Sequence, residues 1–183
     1  EEEHEFEERE PSTQTEATRP LESGKHIEVM ENQKGISFEK LFADYLKGAS
    51  SITVYDPYIR LFYQVKNLSD FIQMVLKIKP VGEEVDVKLV TKRENQDVNN
   101  QEGLLSRLQD NLDGSGINFT YEYDGRQTFH ARSIVTDTGW KIVLDRGLDI
   151  FQPYDYNDVF CIANNIQETR LCKAFEVTFV RNE

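Results

Sequence analysis

The chain has 183 residues, 38% apolar and 11% aromatic, with a formal charge of −12 at neutral pH. That is enough apolar material for one domain with a real core plus a tail. The acidic balance excludes the broad basic surface that indiscriminate nucleic-acid binding needs, and the lack of any 18-residue apolar run excludes a transmembrane helix.

Residues 1–24 hold nine glutamates and two arginines, together with Pro11, Pro20, Ser12, Thr13 and Gly24. Such a segment cannot bury enough surface to offset its ordering entropy. It is read as an acidic disordered linker from an upstream domain, with 25–183 as the folded domain. No signal peptide is visible and the first residue is not methionine, which fits a piece of a longer protein.

Ile27 and Val29 alternate with polar neighbours as a short strand. From Ser37, a capping residue, Phe38, Leu41, Phe42, Tyr45 and Leu46 share one helical face. Ile52 and Val54 form a strand that stops at Asp56-Pro57. Leu68, Phe71, Ile72, Val75 and Leu76 repeat with helical spacing until Pro80. Val85, Val87 and Leu89 give the next strand, and 91–101 reads as a polar loop. Leu104, Leu105, Leu108 and Leu112 mark a third helix, ended by Gly114 or Gly116. Ile117, Phe119, Tyr121 and Tyr123 alternate cleanly as a strand buried on one face. The remainder is β-rich: 130–136, then Trp140, Ile142 and Leu144 as the return arm of a hairpin through Asp137-Thr138-Gly139, a strand at Phe160 and Ile162, and a last one at 174–180. Strands alternating with helices, followed by strands alone, predict an α/β domain with a mixed β-sheet flanked by helices. Cys161 and Cys172 have neither metal-ligand nor CxxC spacing, pointing to buried thiols in a reducing compartment. No metal or cofactor is expected. Trp140, after a tight glycine turn, reads as a structural anchor.

The stretch with chemical content is His130-Ala131-Arg132, followed by Asp137. On a strand beginning at 130, His130 and Arg132 project to the same side, and an imidazole beside a fixed guanidinium makes a pocket that prefers phosphate. Asp56-Pro57-Tyr58-Ile59-Arg60 follows a strand directly, where open α/β sheets place ligand-contacting loops, so Tyr58 and Arg60 are candidates to face the same site. In Arg146-Gly147-Leu148-Asp149, Gly147 permits close backbone approach or positive φ, and Asp149 is placed to orient His130 by accepting its second N–H. Arg170 is a further candidate cation. The plainer alternatives are a half-exposed strand at 130–132, a structural Asp-Pro turn, a surface Arg146–Asp149 pair and a solvated Arg170.

The spacing His-x-Arg-x4-Asp resembles the phospholipase D signature, His-x-Lys-x4-Asp, with Arg132 in the lysine position and one motif where catalysis requires two histidines. Taken with HIEVMENQKGISFEKLFADYL (26–46), VYDPYIR (54–60), HARSIVTDTGW (130–140), DRGLDIFQP (145–153) and ETRLC (168–172), the chain resembles the C-terminal phospholipase D-like domain that follows the MIT (microtubule-interacting and trafficking) domain, over essentially 25–183. The resemblance implies a phospholipase D-like fold. It also implies a homodimer that binds acidic phosphoinositide membranes and works with the ESCRT machinery, without lipase activity. Related domains end bacterial Lon-like AAA+ chains. The leading expectation is therefore a non-catalytic module that recognises anionic phosphate groups or an acidic membrane surface, cytoplasmic and peripheral to membranes. Its candidate ligand-binding residues are His130, Arg132, Asp137, Tyr58, Arg60, Arg146, Asp149 and Arg170. The alternatives are an interaction or oligomerisation domain of a Lon-like AAA+ ATPase, and a dimeric phosphodiesterase with His130 as its catalytic residue. There is no strong case for nucleic acid.

Overall fold

In the computed structural model, which describes residues 20–182, seven strands form one mixed sheet in the order β1-β7-β6-β5-β2-β3-β4. The strands are β1 (Lys25–Val29), β2 (Ser51–Tyr55), β3 (Val85–Thr91), β4 (Ile117–Tyr123), β5 (Arg132–Thr136), β6 (Trp140–Leu144) and β7 (Phe175–Arg181). Three helices intervene: α1 (Phe38–Leu46), α2 (Phe62–Ile78) and α3 (Gln101–Leu112). β2, β3 and β4 run parallel, joined by α2 and α3, while β5, β6, β7 and β1 are antiparallel.

The helical stripes read from sequence become the core. Phe38, Phe42, Leu68, Phe71, Ile72 and Leu105 are fully buried, and α1 packs on α2 and α2 on α3 as one layer. Ser37 caps α1, its Oγ accepting the Lys40 N–H at 3.2 Å. Trp140 is 4% exposed; its ring meets Tyr45 edge-on at 4.9 Å, with the Arg181 guanidinium 4.6 Å from the ring centre.

Two expectations are corrected. The strand expected at Phe160 and Ile162 is a looped segment with short 3-10 turns at Ile162–Asn164 and Gln167–Thr169, and Phe160 is 89% exposed. Asp155 and Asp158 side chains accept the N–H groups of Asn157, Asp158 and Phe160, and the Asn164 amide binds the carbonyls of Asp155 and Asp158. These local bonds take the backbone groups a strand would need, and the sheet position beside β7 belongs to β1. The second correction is that β5 begins at Arg132, so His130 lies in the loop before it. A turn held by Asp124, whose carboxylate takes the Arg126 backbone and guanidinium N–H groups, delays entry into the strand. The expected 1–24 linker falls mostly on residues 1–19, outside the described residues; at its end, Ser23 Oγ accepts the Arg181 N–H and Gly24 N–H donates to the Phe179 carbonyl.

Candidate functional site

Parallel β2 and β3 end on the same side of the sheet, and β5, antiparallel to β2, begins there. Loops 56–61 and 92–100 and the first residue of β5 therefore meet at one rim. Between them is a cavity of about 500 Å³ lined by Tyr58, Arg60, Leu61, Gln64, Glu94, Asn99 and Arg132.

Each wall has a local cause. The Asp56 carboxylate accepts the Tyr58 N–H at 2.9 Å, closing the turn after β2. Gln64, in the first turn of α2, accepts the N–H groups of both Arg60 and Leu61 at 2.9 Å, which fixes where Arg60 leaves the turn. Buried Gln101 ties the two loops together: its amide donates to the carbonyls of Ile59 and Lys92 and accepts the Glu94 N–H. The guanidinium carbons of Arg60 and Arg132 lie 6.0 and 5.0 Å from the centre of the Tyr58 ring, a cation–π arrangement that orients them without neutralising them. Among the described residues neither arginine is in an ion pair. Glu94 is the one acidic wall residue, and its carboxylate is occupied by the Asn99 backbone and side-chain amides.

Behind this rim lies a buried acid. Asp56 is 4% exposed, and its carboxyl is pushed up to about 6. Burial is the main cause and Asp149 adds to it, while the Tyr58 N–H and Arg132 oppose it. Gly147, at φ +61, allows this packing: a Cβ there would collide with Asp56 Oδ2 and lie 3.0 Å from Arg132 Cδ.

The structure brings together Tyr58, Arg60, His130 and Arg132. His130 is exposed at the rim, its Nδ1 3.4 Å from the Tyr58 hydroxyl. The other four predicted residues are elsewhere engaged. Asp137 is at the opposite end of β5, where it accepts the Ser50 N–H and hydroxyl, the latter at 2.6 Å. Burial raises its pKa, but the bonds from Ser50 and Ser51 outweigh this and hold the carboxyl below its ordinary value. Asp149 does not orient His130; it accepts from Lys173 Nζ at 2.7 Å. Arg146 donates to the Ala174 carbonyl at 2.8 Å. Arg170 is 2% exposed and fully used by Asp70, at 3.0 Å, and the Ala163 carbonyl, with Tyr154 stacked on it. It is a core cation, because a guanidinium this buried requires a carboxylate.

Asp56, Gln64, Glu94, Asn99 and Gln101 were not singled out from sequence. Asp56-Pro57 read as a turn, and 91–101 as a polar loop. The signal available was that a loop rich in Asn, Gln and Glu follows a parallel strand.

Residues 35–181 match the family model described as the phospholipase D-like domain at the C-terminus of MIT. The chain is 32% identical to mouse MIT domain-containing protein 1 over 129 residues, which is 70% of this chain and 51% of the relative. It thus spans about half the length of that relative. Among solved structures, it is similar to Nuc, a phospholipase D family member from Salmonella typhimurium (12% identity, TM-score 0.43, 86% of this chain and 84% of the other). It is also similar to phosphatidylserine synthase from Haemophilus influenzae Rd KW20 (11% identity, TM-score 0.48, 86% and 34%). Neither likeness is close enough to carry a substrate across.

Proposed function

The chain belongs to the family of phospholipase D-like domains found at the C-terminus of MIT proteins, and we propose that it acts as a non-catalytic module recognising anionic phosphate groups in the Tyr58–Arg60–Arg132 cavity. The observation that carries this reading is the pair of guanidinium groups converging on one aromatic ring with no carboxylate partner among the described residues. An arginine fork matches two phosphate oxygens, and two such forks, one on a fixed turn and one at a strand end, need little reordering to bind. Glu94 at the wall and Asp56 behind Arg132 temper the positive field. Affinity for one headgroup is therefore modest, and avidity through a dimer or a parent assembly strengthens it. His130 faces a hydroxyl rather than a carboxylate, which supports binding over proton transfer.

The test is co-sedimentation with phosphatidylcholine vesicles that contain or lack phosphatidylinositol bisphosphate. Binding should require the phosphorylated lipid, weaken with salt, and be lost in the double variant Arg60→Ala, Arg132→Ala while thermal stability holds. Equal binding by the double variant overturns the proposal. A parallel assay with bis(p-nitrophenyl) phosphate should show no turnover. Turnover that vanishes in His130→Ala would replace the binding reading with a dimeric phosphodiesterase.

A further inference from the structure

Behind the phosphate cavity the Asp56 carboxyl is cut off from water. It is 4% exposed, and among the described residues it forms no ion pair. Its Oδ1 accepts the Tyr58 N–H at 2.9 Å, at the head of the turn that carries Tyr58 and Arg60 to the cavity. Its Oδ2 packs over Gly147, in the hollow where an added Cβ would also lie 3.0 Å from Arg132 Cδ. The carboxyl and the Arg132 side chain therefore share one hollow, and Arg132 also lines the cavity. A carboxylate withdrawn from water without a paired cation is costly, so its neutral form is favoured.

The groups around Asp56 act in both directions. Burial holds its carboxyl up at about 6; the Tyr58 N–H and Arg132, from β5, pull it down, and Asp149, from the segment after β6, pushes it up. Asp149 is itself held by Lys173 at 2.7 Å and by the Tyr63 side chain. From β3 the neighbour is the Val90 carbonyl, which accepts the Asp56 N–H at 3.0 Å. The charge on Asp56 therefore changes between roughly pH 7 and 5. While it is negative, Arg132 is shared between an internal anion and the ligand. Once it is neutral, the guanidinium field falls on the ligand alone. Salt screens the cavity mouth more than this buried contact, so the difference persists at ordinary ionic strength.

We propose that Asp56 is a proton switch for the Arg60–Arg132 cavity, a regulation that rests on the phosphate reading of that cavity: it takes up a proton from solvent as the medium acidifies, and the cavity then holds its anion more tightly. Binding and protonation are reciprocal, so a bound anion raises the proton affinity of Asp56 by the same factor. The site fills in mildly acidic surroundings and releases its ligand as they become neutral.

The experiment uses the full chain and inositol hexasulfate, a probe whose charge is constant over this range, so that only the protein takes up protons. His130 also stands at the rim, and an imidazole gains charge on acidification. Affinity is therefore measured by calorimetry in His130→Gln and in the double variant His130→Gln, Asp56→Asn. Glu94 at the wall is common to both proteins, so its contribution cancels in the difference. Between about pH 7.5 and 5 the affinity of His130→Gln should rise roughly fivefold more than that of the double variant. A second readout needs no variant: the Asp56 ¹³Cγ signal of the wild-type chain, followed against pH, should report a proton affinity roughly fivefold higher with saturating probe than without it. Equal pH dependence in the two variants, or an Asp56 midpoint unmoved by saturating probe, overturns the switch and leaves the phosphate reading in place. Absence of binding to the wild-type chain at either pH overturns the phosphate reading and the switch together.

Discussion

The two ends of β5 make opposite use of charge. At the far end, Asp137 is saturated by Ser50, the Arg181 guanidinium donates to the Thr138 carbonyl and covers the Trp140 ring, and the Thr136 hydroxyl accepts the Trp140 N–H. At the near end, Arg132 and Arg60 share an aromatic ring and have no acid in ion-pair range among the described residues, while a buried Asp56 sits behind them. One end is internally satisfied and holds the sheet together. The other keeps hydrogen-bonding capacity in reserve. The His-x-Arg-x4-Asp spacing therefore splits into two jobs, because the x4 interval is the length of the strand itself.

That contrast is breakable by substitution. Trp140→Ala removes a buried ring at the satisfied end and should lower stability by roughly 3–5 kcal/mol, read by chemical denaturation, with anion affinity in the surviving folded protein unchanged. At the other end, Asp56→Asn should raise stability. The folded-state carboxyl lies at about 6, above its ordinary 3.8, so the fold favours the protonated form. The penalty is absent below the unfolded value, grows as pH rises towards 6, and stays constant above it. At pH 7.5 it amounts to about 3 kcal/mol, and Asn, which still accepts the Tyr58 N–H, should recover most of it and flatten the pH profile between roughly 4 and 6. A stability curve unchanged by the substitution contradicts the burial argument.

Asp137→Ala should cost about 0.5–1.5 kcal/mol by removing the acceptor of the exposed Ser50 donors, again without touching anion binding. A loss of binding at constant stability would move Asp137 back to the site. The smallest effect is at Glu94. Removing its charge in Glu94→Gln, which keeps one of the two acceptor oxygens for Asn99, should tighten anion binding roughly two- to fivefold by titration with an inositol phosphate. Weaker binding would mean that Glu94 serves the ligand rather than opposes it.

Much of this architecture is legible in the chain because period and burial agree. The stripes on α1 and α2 and the alternation of Ile117, Phe119 and Tyr121 report their own surroundings. The strand expected at Phe160 and Ile162 does not form because aspartate side chains turn the backbone and leave both apolar side chains exposed. Of the site, Tyr58, Arg60, His130 and Arg132 were legible as cations and rings near strand ends. Asp137, Asp149, Arg146 and Arg170 carry the same chemistry in sequence. What removes them is partnership with Ser50, Lys173, Ala174 and Asp70, and partners distant in the chain leave no local signal. Gln101 shows the converse: an ordinary amide in sequence that staples two loops, legible only from the carbonyls around it.

The central claim is that the anion meets the two unpaired arginines and nothing at the satisfied end. It is tested most directly by the arginine Nε–H signals of the labelled protein during titration with inositol bisphosphate at low salt. The signals of Arg60 and Arg132 should move together and saturate at one affinity, while those of Arg146, Arg170 and Arg181 stay in place. Movement at Arg181 or Arg146 with Arg60 and Arg132 unperturbed would contradict the account.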